Sequence, residues 1–156
     1  MKSTPEPGEL RERALRLLAR REHSRFELAR KLGQAGFAQR DIAELLDEFE
    51  EKNWLSDRRF AESYVADHRA KAGSVKLAYD LRQRGVPDSV IEAVLSINRD
   101  SELERAREVW QKKFGVAPVD AADQARQIRF LQSRGFTPTV IRRAISDGDD
   151  RVRDNG

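Results

Sequence analysis

Leu32-Gly33-Gln34-Ala35-Gly36-Phe37, Leu81-Arg82-Gln83-Arg84-Gly85-Val86 and Leu131-Gln132-Ser133-Arg134-Gly135-Phe136 are one pattern written three times: a leucine, three residues, a glycine and a hydrophobe. A glycine at that place supplies the left-handed conformation that ends a helix at little cost, and the hydrophobe after it packs back onto the helix it closes. The match continues downstream. Six residues past each glycine stands Ile42, Ile91 or Ile141; nine past stands Leu45, Val94 or Ala144; ten past stands Leu46, Leu95 or Ile145. Six matched positions in three copies, spaced by 49 and 50 residues, define an internal repeat.

Between the turns the hydrophobic spacing is helical. Leu10, Ala14, Leu17 and Leu18 form one stripe, and Ile42, Leu45, Leu46 and Phe49 another. Ser24-Arg25-Phe26-Glu27 has the form of a capping box, and Ser101-Glu102-Leu103-Glu104 is expected to open a later helix in the same way. Ser56-Asp57 caps the helix holding Phe60, Ala61, Tyr64 and Val65, and Thr137-Pro138 sets a cap residue before proline at a first helical position. No segment alternates with period two. The fold expected is therefore all-α: three tandem three-helix repeats, helix-turn-helix-like, in an elongated array. Repeat one covers 9–53, repeat two 54–97 and repeat three 98–147. Residues 1–8 and 148–156 read as disordered tails. A period near 49 is too long for the common helix-pair repeats, and a lean core suits a stack of small units.

Composition narrows the function. Hydrophobic residues make up 38% and charged residues 37% of the 156. There is no cysteine, so disulfides and thiolate metal sites are excluded. No apolar run is long enough for a signal peptide or a membrane span, which makes the cytoplasm the expected location. With no unsatisfied apolar stripe, a monomer is the expected state. His23 and His68 lie in no metal-ligand spacing, and no phosphate-binding glycine loop or nucleophile motif occurs. No catalytic constellation and no cofactor is expected. Net charge is +3, and the basic excess gathers in repeat three, with ten basic against seven acidic residues. That fits an acidic or phosphate-bearing partner. Trp54, Trp110, Phe60, Tyr64, Phe114, Phe130 and Phe136 are read mainly as core, with Trp54 the least settled because it stands between repeats. Arg58 is placed to pair with Glu62.

The run Trp54-Leu55-Ser56-Asp57-Arg58-Arg59-Phe60-Ala61-Glu62-Ser63-Tyr64-Val65 closely resembles the central motif of the RecX family, regulators of the bacterial recombinase RecA. Arg13 to Ser24 resembles that family's opening helix and capping turn. Leu77 to Val86 is similar to its second-repeat turn, and Ala106 to Phe114 with Arg129 to Phe136 to its third repeat. The likeness covers about residues 10–146 and implies an elongated, curved array of the three repeats. It implies a protein that binds RecA, chiefly the filament on single-stranded DNA, and restrains its ATPase, strand-exchange and SOS coprotease activities. Some members also bind DNA directly, single- or double-stranded. The segment Ala70 to Lys76 carries fewer arginines than relatives do, which argues against a strong DNA contact at that turn. On this reading Lys76, Arg82, Arg84, Arg126, Arg129, Arg142 and Arg143 are the candidates for contact with recombinase or DNA. The alternative is a stand-alone DNA-binding module of helix-turn-helix type.

Overall fold

The computed structural model describes residues 6–154 and contains, among them, helices and turns with no strand. The helices are α1 (Pro7–Arg20), α2 (Arg25–Gln34), α3 (Gln39–Glu51), α4 (Asp57–His68), α5 (Ser74–Gln83), α6 (Asp88–Lys113), α7 (Ala121–Ser133) and α8 (Pro138–Asp154). They divide into two compact units, one of residues up to Tyr64 with Leu81–Ile91, the other of Val65–Asp80 with the residues from Glu92 onward.

All three repeated turns close identically. Gly36, Gly85 and Gly135 have φ of 97°, 78° and 86°. In each, the amide of the following hydrophobe reaches back to the leucine carbonyl five residues earlier: Phe37 to Leu32 (3.3 Å), Val86 to Leu81 (3.1 Å), Phe136 to Leu131 (3.3 Å). This is the long bond of a Schellman cap, and it gives a carbonyl of the last helical turn a backbone donor.

In the first unit the stripes predicted from sequence meet. Leu10 and Ala14 of α1, Leu28 and Leu32 of α2, Ile42, Leu46 and Phe49 of α3, and Leu55 form one buried cluster, with Leu17, Leu18, Phe37 and Leu45 packed on its margin. Each such leucine or phenylalanine contributes about 1.5–3 kcal/mol of burial. The Ser24 cap forms as expected, its hydroxyl accepting from the Glu27 amide at 3.1 Å, and Ser56 accepts from the Arg59 amide at 3.1 Å.

In the second unit Ala106 and Trp110 of α6, Leu131 of α7, Phe136, and Ile141, Ala144 and Ile145 of α8 form the core. The Trp110 indole donates to the Gln127 side-chain oxygen at 2.7 Å, and the Gln127 amide nitrogen donates to the Val116 carbonyl at 3.1 Å. The buried glutamine is thereby matched on both sides. Thr137 and Pro138 start α8 as predicted.

Two local expectations are corrected. Ser101–Glu104 does not open a helix: α6 runs unbroken for 26 residues and Ser101 lies in its interior. Its polar groups are used between helices and along the helix side. Buried Glu102 accepts from both the amide and the hydroxyl of Ser74, each at 3.0 Å, so it caps α5 from outside, and Arg105 donates to the Ser101 hydroxyl. Nor do residues 7–8 and 148–154 lie outside the helices. The carbonyl of Glu6, the α1 N-cap, receives the Glu9 and Leu10 amides. α8 runs on to Asp154, and its Gly148 passes the Trp110 ring so closely that a Cβ there would lie 2.6 Å from it. Residues 1–5 and 155–156 of the expected tails lie outside the described residues.

Candidate nucleoprotein interface

The second helix of one repeat is fixed to the turn of the next, and this happens twice at the same register. Counting back eight residues from the turn leucines aligns Ser24, Gly73 and Asp123. In the first unit Ser24, at the start of α2, donates its hydroxyl to the Arg84 carbonyl at 2.6 Å. In the second unit Gly73, just before α5, donates its amide to the Arg134 carbonyl at 2.8 Å, and the Val75 amide reaches Gly135 at 3.0 Å. Arg84 and Arg134 are themselves equivalent, each preceding the turn glycine. Each also lays its guanidinium over a ring, Arg84 at 4.6 Å from Tyr64 and Arg134 at 5.2 Å from Phe130. The planar cation is held and pointed by the stacking.

The structure sorts the candidate residues. Arg82 and Arg84 belong to the first unit. Arg82 is paired with Asp88 at 2.8 Å, and Arg84 is half-buried with its carbonyl committed to the junction. Lys76, Arg126, Arg129, Arg142 and Arg143 belong to the second unit and all five are exposed. Lys76 abuts the Gly135 turn. Arg126 lies 5.1 Å from the Phe114 ring and bonds Asp123 at 2.8 Å; with the Val119 amide, that guanidinium holds the Asp123 carboxyl below its ordinary pKa. Arg142 lines a groove with Pro118, Val119, Ile128 and Ile145.

Lys113, one of the cations behind the basic excess of repeat three, completes the cluster. Its ammonium stands 5.3 Å from the Phe130 ring that also carries Arg134, and Phe130 meets Phe114 edge-on at 5.5 Å. Lys113, Arg126 and Arg134 thus cover one aromatic pair, an arrangement that no linear motif announces because α6 and α7 contribute separate halves. Phe60, Trp110 and Phe136 are buried as expected, whereas Trp54 is 44% exposed, with Lys52 4.8 Å and Arg11 5.9 Å from its ring. Arg58 pairs with Glu62 at 2.9 Å and Arg59 with Glu22 at 3.0 Å, so the two arginines of the central motif have structural tasks. Among the described residues no group of acids and histidines could hold a metal, and no helix is long and apolar enough to cross a membrane.

Three models of RecX three-helix domains match in order: the first over residues 11–49, the second over 56–95 and the third over 100–145. The chain belongs to the RecX family. It is 45% identical over 141 residues to the regulatory protein RecX of Chromobacterium violaceum, covering 90% of this chain and 91% of that one. It is 40% identical over 151 residues to the regulatory protein RecX of Ralstonia nicotianae, covering 97% and 94%. Its fold is that of crystalline RecX from Lactobacillus salivarius, with a TM-score of 0.81 at 21% identity over 90% of this chain and 95% of that one. The all-α organisation in three-helix repeats read from the glycine turns is therefore that of the RecX fold.

Proposed function

We propose that this RecX family member binds the RecA recombinase, chiefly as its filament on single-stranded DNA, and restrains filament ATPase, strand exchange and the coprotease activity that triggers the SOS response. The observation that carries this is the ordered match of all three RecX domains along the chain. The geometry supports it in a second way. Repeats locked to one another at Ser24–Arg84 and Gly73–Arg134 hold several contact surfaces in fixed relation within each unit. A multi-repeat binder that touches more than one filament subunit gains affinity for filament over free subunits by effective concentration. The protein acts by binding and not by catalysis, in the cytoplasm, as a monomer. Of the candidates, Lys76, Arg126, Arg129, Arg142 and Arg143 are the exposed cations we assign to recombinase or DNA contact; Arg82 and Arg84 contribute to the junction region.

The test is the single-stranded-DNA-dependent ATPase of RecA from the same organism, with this protein added well below equimolar amounts. Strong inhibition is expected, because simple competition for DNA sites would require far more protein. The cation cluster over Phe114 and Phe130 favours one second reading, a DNA-binding module. On that reading RecA turnover is unaffected at equimolar protein, while bare DNA is bound tightly with a steep salt dependence.

A further inference from the structure

Tyr79 is 59% exposed on α5, one turn from Val75, which is 56% exposed. Among the described residues no ring or cation stands against the Tyr79 ring, in contrast to Trp54 with its two cations. An aromatic and a β-branched side chain side by side in water on a helix otherwise patterned for burial call for an explanation. Val75 is followed by the exposed Lys76, whose backbone lies so close to Gly135 that a Cβ there would stand 2.2 Å from the Lys76 Cβ. The residue before Gly135 is Arg134, exposed and stacked on Phe130, and Lys113 shares that ring. The α5–α7 junction thus joins Tyr79, Val75, Lys76, Arg134, Phe130 and Lys113 in one unit. Its acids are withdrawn: Glu102 is buried beneath Ser74, and Asp80 is half-buried and already engaged.

We infer that this junction binds single-stranded nucleic acid, with Tyr79 stacking on a base and Lys76, Arg134 and Lys113 holding the phosphates. An uncovered ring in one unit with several exposed cations is what a single strand can use, and a duplex would leave the ring without a base face to meet. The repeat register points the same way: Arg30, Tyr79 and Arg129 occupy one position of the second helix, and all three are exposed. Each carries a planar group able to stack. A protein partner could also use a tyrosine anchor, but three cations without a facing acid favour phosphate. The contact lies on the helix face and the junction, not in the Ala70–Gly73 turn. This assigns the strand contact of the filament reading above, yet it stands or falls separately from it.

The experiment uses the full chain and a short fluorescein-labelled oligo(dT), followed by anisotropy across a salt series, with far-UV circular dichroism to check each variant. Tyr79→Ala is expected to weaken binding roughly tenfold or more, on the scale of one lost base stack. Tyr79→Phe should bind as the parent does. Lys76→Ala should lower the salt slope by about 0.7, the share of one phosphate contact on a single strand. A 5-iodouracil oligonucleotide should photo-crosslink to Tyr79. Parental affinity in Tyr79→Ala would overturn the proposal, as would a Tyr79→Phe loss equal to that of alanine, which would mark a hydroxyl contact. Unchanged oligonucleotide binding with lost inhibition of RecA would make the patch a protein-docking surface and also overturn it. Tyr79-dependent strand binding in a protein that leaves RecA unaffected would sustain this proposal and sink the regulatory one.

Discussion

The junction in the first unit and the junction in the second solve one problem by different chemistry. Both must satisfy the carbonyl of an arginine at a helix end, Arg84 or Arg134, using the start of another repeat's second helix. In the first, Ser24 does so with a side chain, and its hydroxyl also takes the Glu27 amide. In the second, the backbones approach too closely for any side chain: a Cβ on Gly73 would lie 2.6 Å from the Gly135 carbonyl oxygen. There the amide itself donates, and the helix start left without a capping residue takes Glu102 from α6 instead. A hydroxyl that serves two partners tolerates ordinary spacing. A bare amide demands contact, and contact demands glycine on both faces.

That contrast ranks the glycine substitutions. Gly135→Ala is expected to be the most damaging, because its Cβ would press on the backbone nitrogen of Lys76 at 2.5 Å as well as occupy a positive-φ position. Gly85→Ala shares the φ strain and meets the Phe26 Cβ at 2.1 Å, an atom that no turn of the ring moves, so the start of α2 itself must shift. Gly36 has open space where its Cβ would stand, so alanine there carries only the backbone strain of about 1 kcal/mol. Urea denaturation should give losses of roughly 3 kcal/mol or more at Gly135, nearly as much at Gly85, and about 1 at Gly36. Equal losses at all three sites would mean that left-handed backbone strain alone governs them and the junctions contribute nothing.

Ser24→Ala and Gly73→Ala sharpen the same comparison at the donor side. Gly73→Ala forces two backbones apart and should cost about as much as Gly135→Ala. Ser24→Ala removes a helix cap and leaves the Arg84 carbonyl without its hydroxyl donor, an expected loss of about 1–3 kcal/mol. Ser24→Thr should recover most of it, since the oxygen is retained; a threonine variant as unstable as alanine would show that the methyl does not fit the junction.

The repeat was legible because its turns obey a local rule. Helix termination by glycine with a returning hydrophobe needs only six consecutive residues, and Leu32, Leu81 and Leu131 with their partners state it in full. Membership of the core was legible for the same reason, from spacing at Leu10, Ala14, Ile42 and Leu46. What could not be read was set by residues far apart in the chain. Ser101–Glu104 is a sound capping box by sequence, but Glu102 is drawn to Ser74, 28 residues away, and the helix passes through. The cations of the cluster were legible in the basic excess of repeat three, which includes Lys113, Arg126, Arg129 and Arg134. Their gathering over Phe114 and Phe130 was not, because α6 and α7 bring those rings together. Tyr79 escaped notice because a helical stripe gives no sign of which aromatic residue is left outside.

The smallest expected effect separates the junctions by pH. His23 is buried beside Ser24, with its Nδ1 3.0 Å from the Arg21 carbonyl and its Nε2 2.9 Å from the Lys31 ammonium. The geometry fits a neutral ring that donates through Nδ1 and accepts from Lys31 through Nε2. Burial, with the charges of Arg21 and Lys31 adding to it, lowers its pKa below 6.5, although the Arg21 carbonyl and Glu27 oppose the shift. Because the folded pKa is depressed, the unfolded chain takes up the proton first. The contribution to stability is therefore complete above about 6.5 and is lost as pH falls from there through the folded value. Counted back from the turn leucines, His23 falls in register with Ala72 of the second junction. Urea stability measured from pH 7.5 down to 5 should then fall in the parent and fall less in His23→Gln, the difference remaining below about 1.4 kcal/mol for each pH unit crossed. Backbone amide exchange should place that loss at α2 and Arg84 while the α5 start stays protected. If acid opens both junctions equally, and does so in His23→Gln as in the parent, His23 is not the group responsible.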